Sequence, residues 1–377
     1  MTLSIGGSIV FYAVFFLFET LLAFVIQNLV QRSGNQKFVY KSDGGVKIRV
    51  KGAFVFALMS VICCLVAGLR YNVGTDYKNY LPIFNTVSDI SGKTPYGTIE
   101  PLSSVLMLVC KPFVNGYQVY LGLMAILISF ITFYFFKENC DVSSFPFMIF
   151  IYFMLMYSAS LNAIRQIMSV AIVMLGYRFI MEKKLLKYII VLVVAALVHK
   201  SALLCLPFYF LYFKKDRFSK IKLNLIIAVC MIIPFFIRNI FNILLSISLF
   251  SSYDRYFYRN AGYYVVGIII LRLPVLLMIF IFRSKLEERS EKNRFFIILY
   301  VMELLFYIIG GNIIWAFRMA YYCLAAEAVL VPQLSEVVNK KYKVIVNVIF
   351  VIYYIVIFCY NVIINGHDGI LPYTFVG

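Results

Sequence analysis

Apolar runs of near twenty residues, separated by short charged loops, recur from one end of this chain to the other. As a helix, such a run is long enough to cross a hydrocarbon core of about 30 Å. Backbone polar groups cannot stay unpaired in lipid, so spanning runs must be helices or strands of a closed barrel. The apolar positions are continuous rather than alternating, which selects helices. The predicted spans are about Ile9–Leu29, Gly52–Leu69, Tyr117–Phe136, Pro146–Ser160, Ala163–Met181, Leu223–Phe250, Tyr263–Phe282, Phe295–Ile309, Ile313–Leu334 and Val344–Ile364. Leu223–Phe250 is over-long and holds Pro234, Arg238 and Asn239, which predicts a kink or an interfacial turn. Leu102–Val114 is too short to span and carries Lys111-Pro112, which predicts a re-entrant or interfacial helix. Tyr188–Phe213 lies between two basic loops, which predicts a hairpin of short arms turning at His199-Lys200-Ser201. The first run lacks a basic n-region and reads as a retained helix, not a cleaved signal. The expected fold is an all-α polytopic membrane protein: about ten full transmembrane helices, a re-entrant helix and a helical hairpin. With no internal repeat or soluble linker, it forms one integral membrane domain over residues 1–377.

Composition agrees. Hydrophobic residues make up 63% of the 377 and charged residues 14%, against roughly 45–50% and about 25% in soluble domains. The net charge of +18 raises nucleic acid as a partner, but the cations lie in loops between apolar runs, and no soluble basic domain exists. The bilayer is the partner this pattern implies. The basic loops are Arg32–Lys51, Lys183–Lys187, Lys214–Lys222, Arg283–Arg294 and Lys340–Lys343, and the positive-inside rule places all five in the cytoplasm. Both termini, the long polar loop 70–100 and the loops Ser251–Gly262 and Gly310–Asn312 then fall outside. The eight cysteines lie mostly in apolar runs without metal-ligand spacing and read as small buried hydrophobes. With two histidines in the chain, a histidine metal cluster is excluded, and no cluster of acids demands Mg²⁺.

Charges in or beside spans are costly and are functional candidates by default. Arg70 directly follows the second span and Asp76 is six residues on, with Gly74 permitting a tight turn, so both could face one cavity. An ordinary interfacial arginine and a loop aspartate would look the same. Asn162, Arg165, Gln166 and Ser169 are spaced i, i+3, i+4, i+7 on one helix face, either as a functional stripe or as a structural hydrogen-bonding seam. His199-Lys200 occupies the hairpin tip, where His199 could be an acid, a base, a phosphate donor or a satisfied buried histidine. Arg255 in an aromatic outer loop and Arg318 after Trp315 suit sugars and phosphates, or equally a membrane-interface belt. Arg272 and Glu303, deep in two spans, read as a structural ion pair. Arg70, Asp76, Arg165, His199, Arg255 and Arg318 all fall on the outer side, which suggests one outward-facing cationic cavity for phosphate, pyrophosphate or acidic glycans.

Four motifs in order carry a resemblance. Arg70-Tyr-Asn-Val-Gly-Thr-Asp-Tyr-Lys-Asn-Tyr80 resembles the R-x-x-x-G-T-D-Y-x-x-Y signature of bacterial EpsG-like membrane proteins. Ile99-Glu-Pro-Leu102, Leu161-Asn-Ala-Ile-Arg-Gln166 and Ala195-Ala-Leu-Val-His-Lys-Ser-Ala202 resemble that family's E-P-L, L-N-x-x-R-Q and A-x-x-x-H-K-S-A motifs. Motif order and spacing match over about residues 50–215, and the last third matches in hydropathy. The resemblance implies a Wzy-type polymerase of O-antigen or exopolysaccharide, GT-C-like and metal-independent, without a cofactor. The glycan would pass from undecaprenyl diphosphate to the terminal sugar of an acceptor repeat unit on a second undecaprenyl diphosphate. The site would face outward from the bacterial cytoplasmic membrane, and the pathway's flippase and chain-length regulator would be partners. Asp76 and His199 would be catalytic. Arg70, Tyr77, Tyr80, Glu100, Asn162, Arg165, Gln166, Lys200, Arg255 and Arg318 would bind substrate. A flippase or exporter of lipid-linked oligosaccharide, or an O-antigen ligase, would also need a cationic cavity.

Overall fold

The computed structural model describes residues 1–31, 45–139, 141–212, five positions between 221 and 232, 262–311 and 314–377. The predicted span Leu223–Phe250 falls almost wholly outside the described residues, as does Arg255 in its outer loop. Among the described residues the only strands are the paired dipeptides Lys93–Thr94 and Gly97–Thr98. The protein is an all-α membrane protein, with six described helices long and apolar enough to cross a bilayer.

The chain divides into two compact units. The first comprises Met1–Arg178, Leu185–Leu206 and Tyr354–Gly377. It opens with α1 (Ile5–Gln31) and α2 (Gly45–Gly68). The backbone of α2 starts seven residues before the predicted Gly52, because helical hydrogen bonding continues past the point where the apolar run begins. The polar stretch after α2 is structured: α3 (Tyr77–Thr86) precedes the small hairpin of β1 (Lys93–Thr94) and β2 (Gly97–Thr98). Then come α4 (Pro101–Cys110) and α5 (Gly116–Asn139). Pro112 suits the early end of α4.

The predicted span Pro146–Ser160 is two pieces, α6 (Phe145–Leu155) and α7 (Tyr157–Asn162), broken at Met156. A second break at Ala163 (φ −82, ψ 53) precedes α8 (Ile164–Met181). Hydropathy is blind to the break at Met156 because the run stays apolar through it, whereas the break at Ala163 falls at the predicted boundary between two spans. Every residue of α7 is buried. In α1, by contrast, Tyr12, Phe15, Phe16, Glu19 and Ala23 are buried while Val10, Val14, Leu17, Leu21 and Phe24 are exposed apolar side chains, as a lipid-facing helix requires. Phe16 stacks on Phe153 of α6 with centroids 5.0 Å apart.

The hairpin at His199 is present. It rises as α9 (Leu185–Ala196) and returns as the 3₁₀ segment Lys200–Cys205. Tyr188, near the start of α9, donates from its hydroxyl to Cys205 O at 2.7 Å, so the return arm runs back along the helix.

The second unit comprises Phe179–Lys184 and Pro207–Tyr353. Its described helices are α10 (Phe208–Leu211), α11 (Gly262–Arg289), α12 (Asn293–Gly310), α13 (Ile314–Met319) and α14 (Ala325–Val337), with α15 (Lys343–Phe358) leading back toward the first unit's residues. The predicted single span Ile313–Leu334 is broken between α13 and α14 by the 3₁₀ turn Ala320–Tyr322, again inside an apolar run. The expected pair of Arg272 and Glu303 is formed at 3.1 Å, and Glu327 joins it 3.3 Å from Arg272 Nε. All three side chains are buried. Glu327 completes a triad that hydropathy alone could not pair.

Candidate active site

Glu100 precedes Pro101, which favours extended backbone before it and opens α4 at its first turn (Glu100 φ −70, ψ 147). The start of α4 is pinned to the hairpin tip. Leu102 N–H donates to Leu197 O at 2.9 Å, and Ser103 Oγ donates to Val198 O at 2.8 Å. Glu100 therefore meets the tip. Lys200 N–H donates to Glu100 Oε1 at 3.2 Å, and His199 Nδ1 lies 3.4 Å from the same oxygen. On the other side, Arg165 Nη1, at the start of α8, reaches Glu100 Oε2 at 2.5 Å. The Arg165 guanidinium stands 5.3 Å above the Tyr80 ring, and among the described residues its Nε has no hydrogen-bond partner. Burial would raise the Glu100 carboxyl, but His199, Arg165 and the Lys200 amide overcome it and hold the group down at about 2.

The Asp76 turn is held from a different direction. Asn162, the last residue of α7, accepts Thr75 Oγ1–H and Asp76 N–H on Oδ1, both at 2.8 Å. Gly74 has φ +93, and a Cβ there would lie 2.6 Å from Leu161 O, so this close approach needs glycine. Asp76 stands at the N-cap of α3, half-buried, and Asn79 Nδ2 donates to its Oδ1 at 3.0 Å. The break at Ala163 corrects the expected stripe. Asn162 ends α7, whereas Arg165, Gln166 and Ser169 lie on α8, so Asn162 does not continue the helix face of the other three. Gln166 is buried, and Ser169 Oγ donates to His199 O at 3.4 Å.

Arg70 is deeply buried. It is 1% exposed and interacts electrostatically with Tyr117, Tyr157, Tyr12 and Tyr373, and among the described residues its Nε and Nη1 have no hydrogen-bond partner. Burial pushes its pKa below the ordinary arginine value. Tyr77 is also buried, accepting from Gln118 Nε2 at 3.3 Å on its hydroxyl. Lys200 is exposed at the hairpin tip. Arg318 is exposed on α13 of the second unit.

Two residues of the first unit's site were not read from the sequence. Asn162 Nδ2 donates to Asp368 Oδ1 at 3.0 Å, and His367 Nδ1 lies 3.1 Å from Asp368 Oδ2. Burial opposes the Asp368 charge, but His367 and hydrogen bonds from Asn162 and Ser158 hold its pKa below the ordinary value. The sequence did carry a signal. Asn365-Gly-His-Asp-Gly369 is a polar, turn-forming stretch on the side assigned to loop 70–100.

No curated protein and no solved structure matches the chain. The model of the EpsG family matches residues 53–375. The chain belongs to the EpsG family, a family of Wzy-like polysaccharide polymerases.

Proposed function

We propose that this EpsG-family membrane protein, broadly a polysaccharide polymerase, elongates a glycan carried on undecaprenyl diphosphate. In this reading it works on a GT-C-like scaffold at the outer face of the bacterial cytoplasmic membrane. The observation that carries the proposal is the convergence of Arg165, His199 and the Lys200 amide on Glu100, beside the Asp76 turn tied to Asn162.

In the proposed step, an acceptor sugar hydroxyl attacks C1 of the donor's first sugar. The C1–O bond to diphosphate breaks, the hydroxyl proton passes to a base, and undecaprenyl diphosphate leaves. Negative charge builds on the leaving diphosphate, and fixed guanidinium donors in a water-poor site stabilise it without a metal ion. Arg165 supplies these donors: Glu100 engages its Nη1, and Nε has no partner among the described residues. Lys200 adds an exposed ammonium at the hairpin tip. Asp76 orients or deprotonates the acceptor hydroxyl, and His199, held by Glu100, is the phosphate donor or the alternative base. Arg70 is 1% exposed, so in this reading it acts as a buried charge behind the Asp76 turn, not as the first phosphate contact.

The test is elongation by purified protein of synthetic lipid-linked repeat units. A polymerase gives a ladder spaced by one repeat. A flippase moves the lipid without lengthening the glycan, and a ligase needs an acceptor that is not lipid-diphosphate-linked. Absence of a ladder with both substrates present would sink the reading.

A further inference from the structure

The polar segment after the last span folds back onto the Asp76 turn. Gly369 O accepts Gly74 N–H at 2.9 Å, and Asp368 O accepts Thr75 N–H at 3.1 Å. Beyond it, Thr374 O accepts Tyr71 N–H at 2.8 Å, and Phe375 pairs with Arg70. A Cβ on Gly369 would lie 2.8 Å from Thr75 Cγ2, so the two backbones are in close contact. Asp368 is a non-glycine residue at φ +66, a left-handed conformation that persists only where surrounding contacts impose it. Its side chain is 1% exposed and directed at Asn162.

The chemistry of that contact matters. The Asn162 amide could be turned either way, presenting oxygen or NH₂ to the Asp76 turn. Thr75 and Asp76 both offer it hydrogen-bond donors, so only the oxygen fits. A carboxylate accepts and cannot donate, so Asp368 selects the orientation with Nδ2 toward itself and Oδ1 toward Asp76.

Resting on the polymerase reading, we propose that Asp368 is a positioning residue: it locks the Asn162 amide, and Asn162 in turn fixes the Thr75–Asp76 turn that presents the Asp76 carboxylate to the acceptor. The segment 366–369 is thereby part of the site. It does not touch substrate.

The test uses purified full-length protein, with elongation of synthetic lipid-linked repeat units and amide hydrogen exchange over residues 70–80 as separate readouts. Asp368→Ala lowers kcat roughly 10- to 100-fold, the range for a misplaced group near the reacting centre, leaves donor KM within about twofold, and speeds exchange at Asp76. Asn162→Asp places two carboxylates together and does the same. The swapped pair Asn162→Asp with Asp368→Asn restores one donor facing one acceptor, and should regain both protection and most of the turnover. A swap that recovers neither, or an Asp368→Ala protein with wild-type turnover and exchange, overturns the proposal. If wild-type protein elongates nothing, the polymerase reading fails, and exchange at Asp76 still decides whether Asp368 fixes the turn.

Discussion

Arg165 Nη1 stands 2.5 Å from Glu100 Oε2, across 65 residues of chain. Arg165→Ala should therefore do two things: remove the proposed phosphate donor and leave the Glu100 carboxylate without its cation. Loss of one positioned donor costs on the order of 10²–10³ in turnover. Arg165→Lys should recover only part of it, because one ammonium cannot replace a forked guanidinium that holds Glu100 and a phosphate oxygen together. Elongation assays at matched protein level check this. Normal-length glycan from Arg165→Ala would make the residue purely structural.

Glu100 also predicts a pH dependence. Its carboxyl is held at about 2, below its ordinary value of 4.5. A depressed carboxylate adds stability that is fully present above the unfolded value and is lost as pH falls through the folded one. Thermal shift of wild type against Glu100→Gln should show a constant gap above pH ~5 that narrows between pH ~4.5 and ~2. A gap that widens with acidification would contradict the assignment.

Gly74→Ala tests the turn without touching a charge. Its Cβ would lie 2.6 Å from Leu161 O at φ +93, so the turn must shift. Strain of this kind costs about 1–3 kcal/mol, and the displaced Asp76 amide should lose Asn162. Turnover should drop by roughly 10²-fold, as for an ångström-scale misplacement, while the fold is retained. An alanine variant with wild-type turnover would show that the turn tolerates displacement.

In the second unit, removing Arg272 strands two buried carboxylates. Arg272→Met should destabilise by about 3–5 kcal/mol, and the triple change with Glu303→Gln and Glu327→Gln should restore much of that. Unfolding in detergent measures both. Equal loss in the single and triple variants would assign the effect to packing, not charge.

Topology is testable by cysteine labelling in a background without native cysteines. Lys184→Cys and Arg289→Cys should react only from the cytoplasmic side, and Ser91→Cys only from outside. Labelling of position 184 from outside alone would overturn the orientation. The structure already groups residues 2–3, 69–71 and 373–376 in backbone hydrogen bonds, as expected of two termini that share a side with Arg70.

The sequence by itself determined the membrane character, the spans realised as α1, α5, α8, α11, α12 and α15, and the turn at His199. Crossing lipid is a local property: a run must be long and apolar, and its backbone must satisfy itself. The motifs also singled out Asp76, Asn162, Arg165 and His199 one by one. Tertiary structure alone decided what they meet. Glu100 was expected to hold substrate, and it is also the hub for Arg165 and His199. Asp368 comes from 206 residues beyond Asn162. Arg70 is buried to 1% exposure, and Glu327 joins Arg272 and Glu303. The break at Met156 leaves no mark on hydropathy, because the run is apolar through it, while the break at Ala163 falls where the sequence already divides two spans. Helical periodicity names the face a polar side chain occupies. Its partner is set by which distant segments pack there, and that is a property of the folded chain.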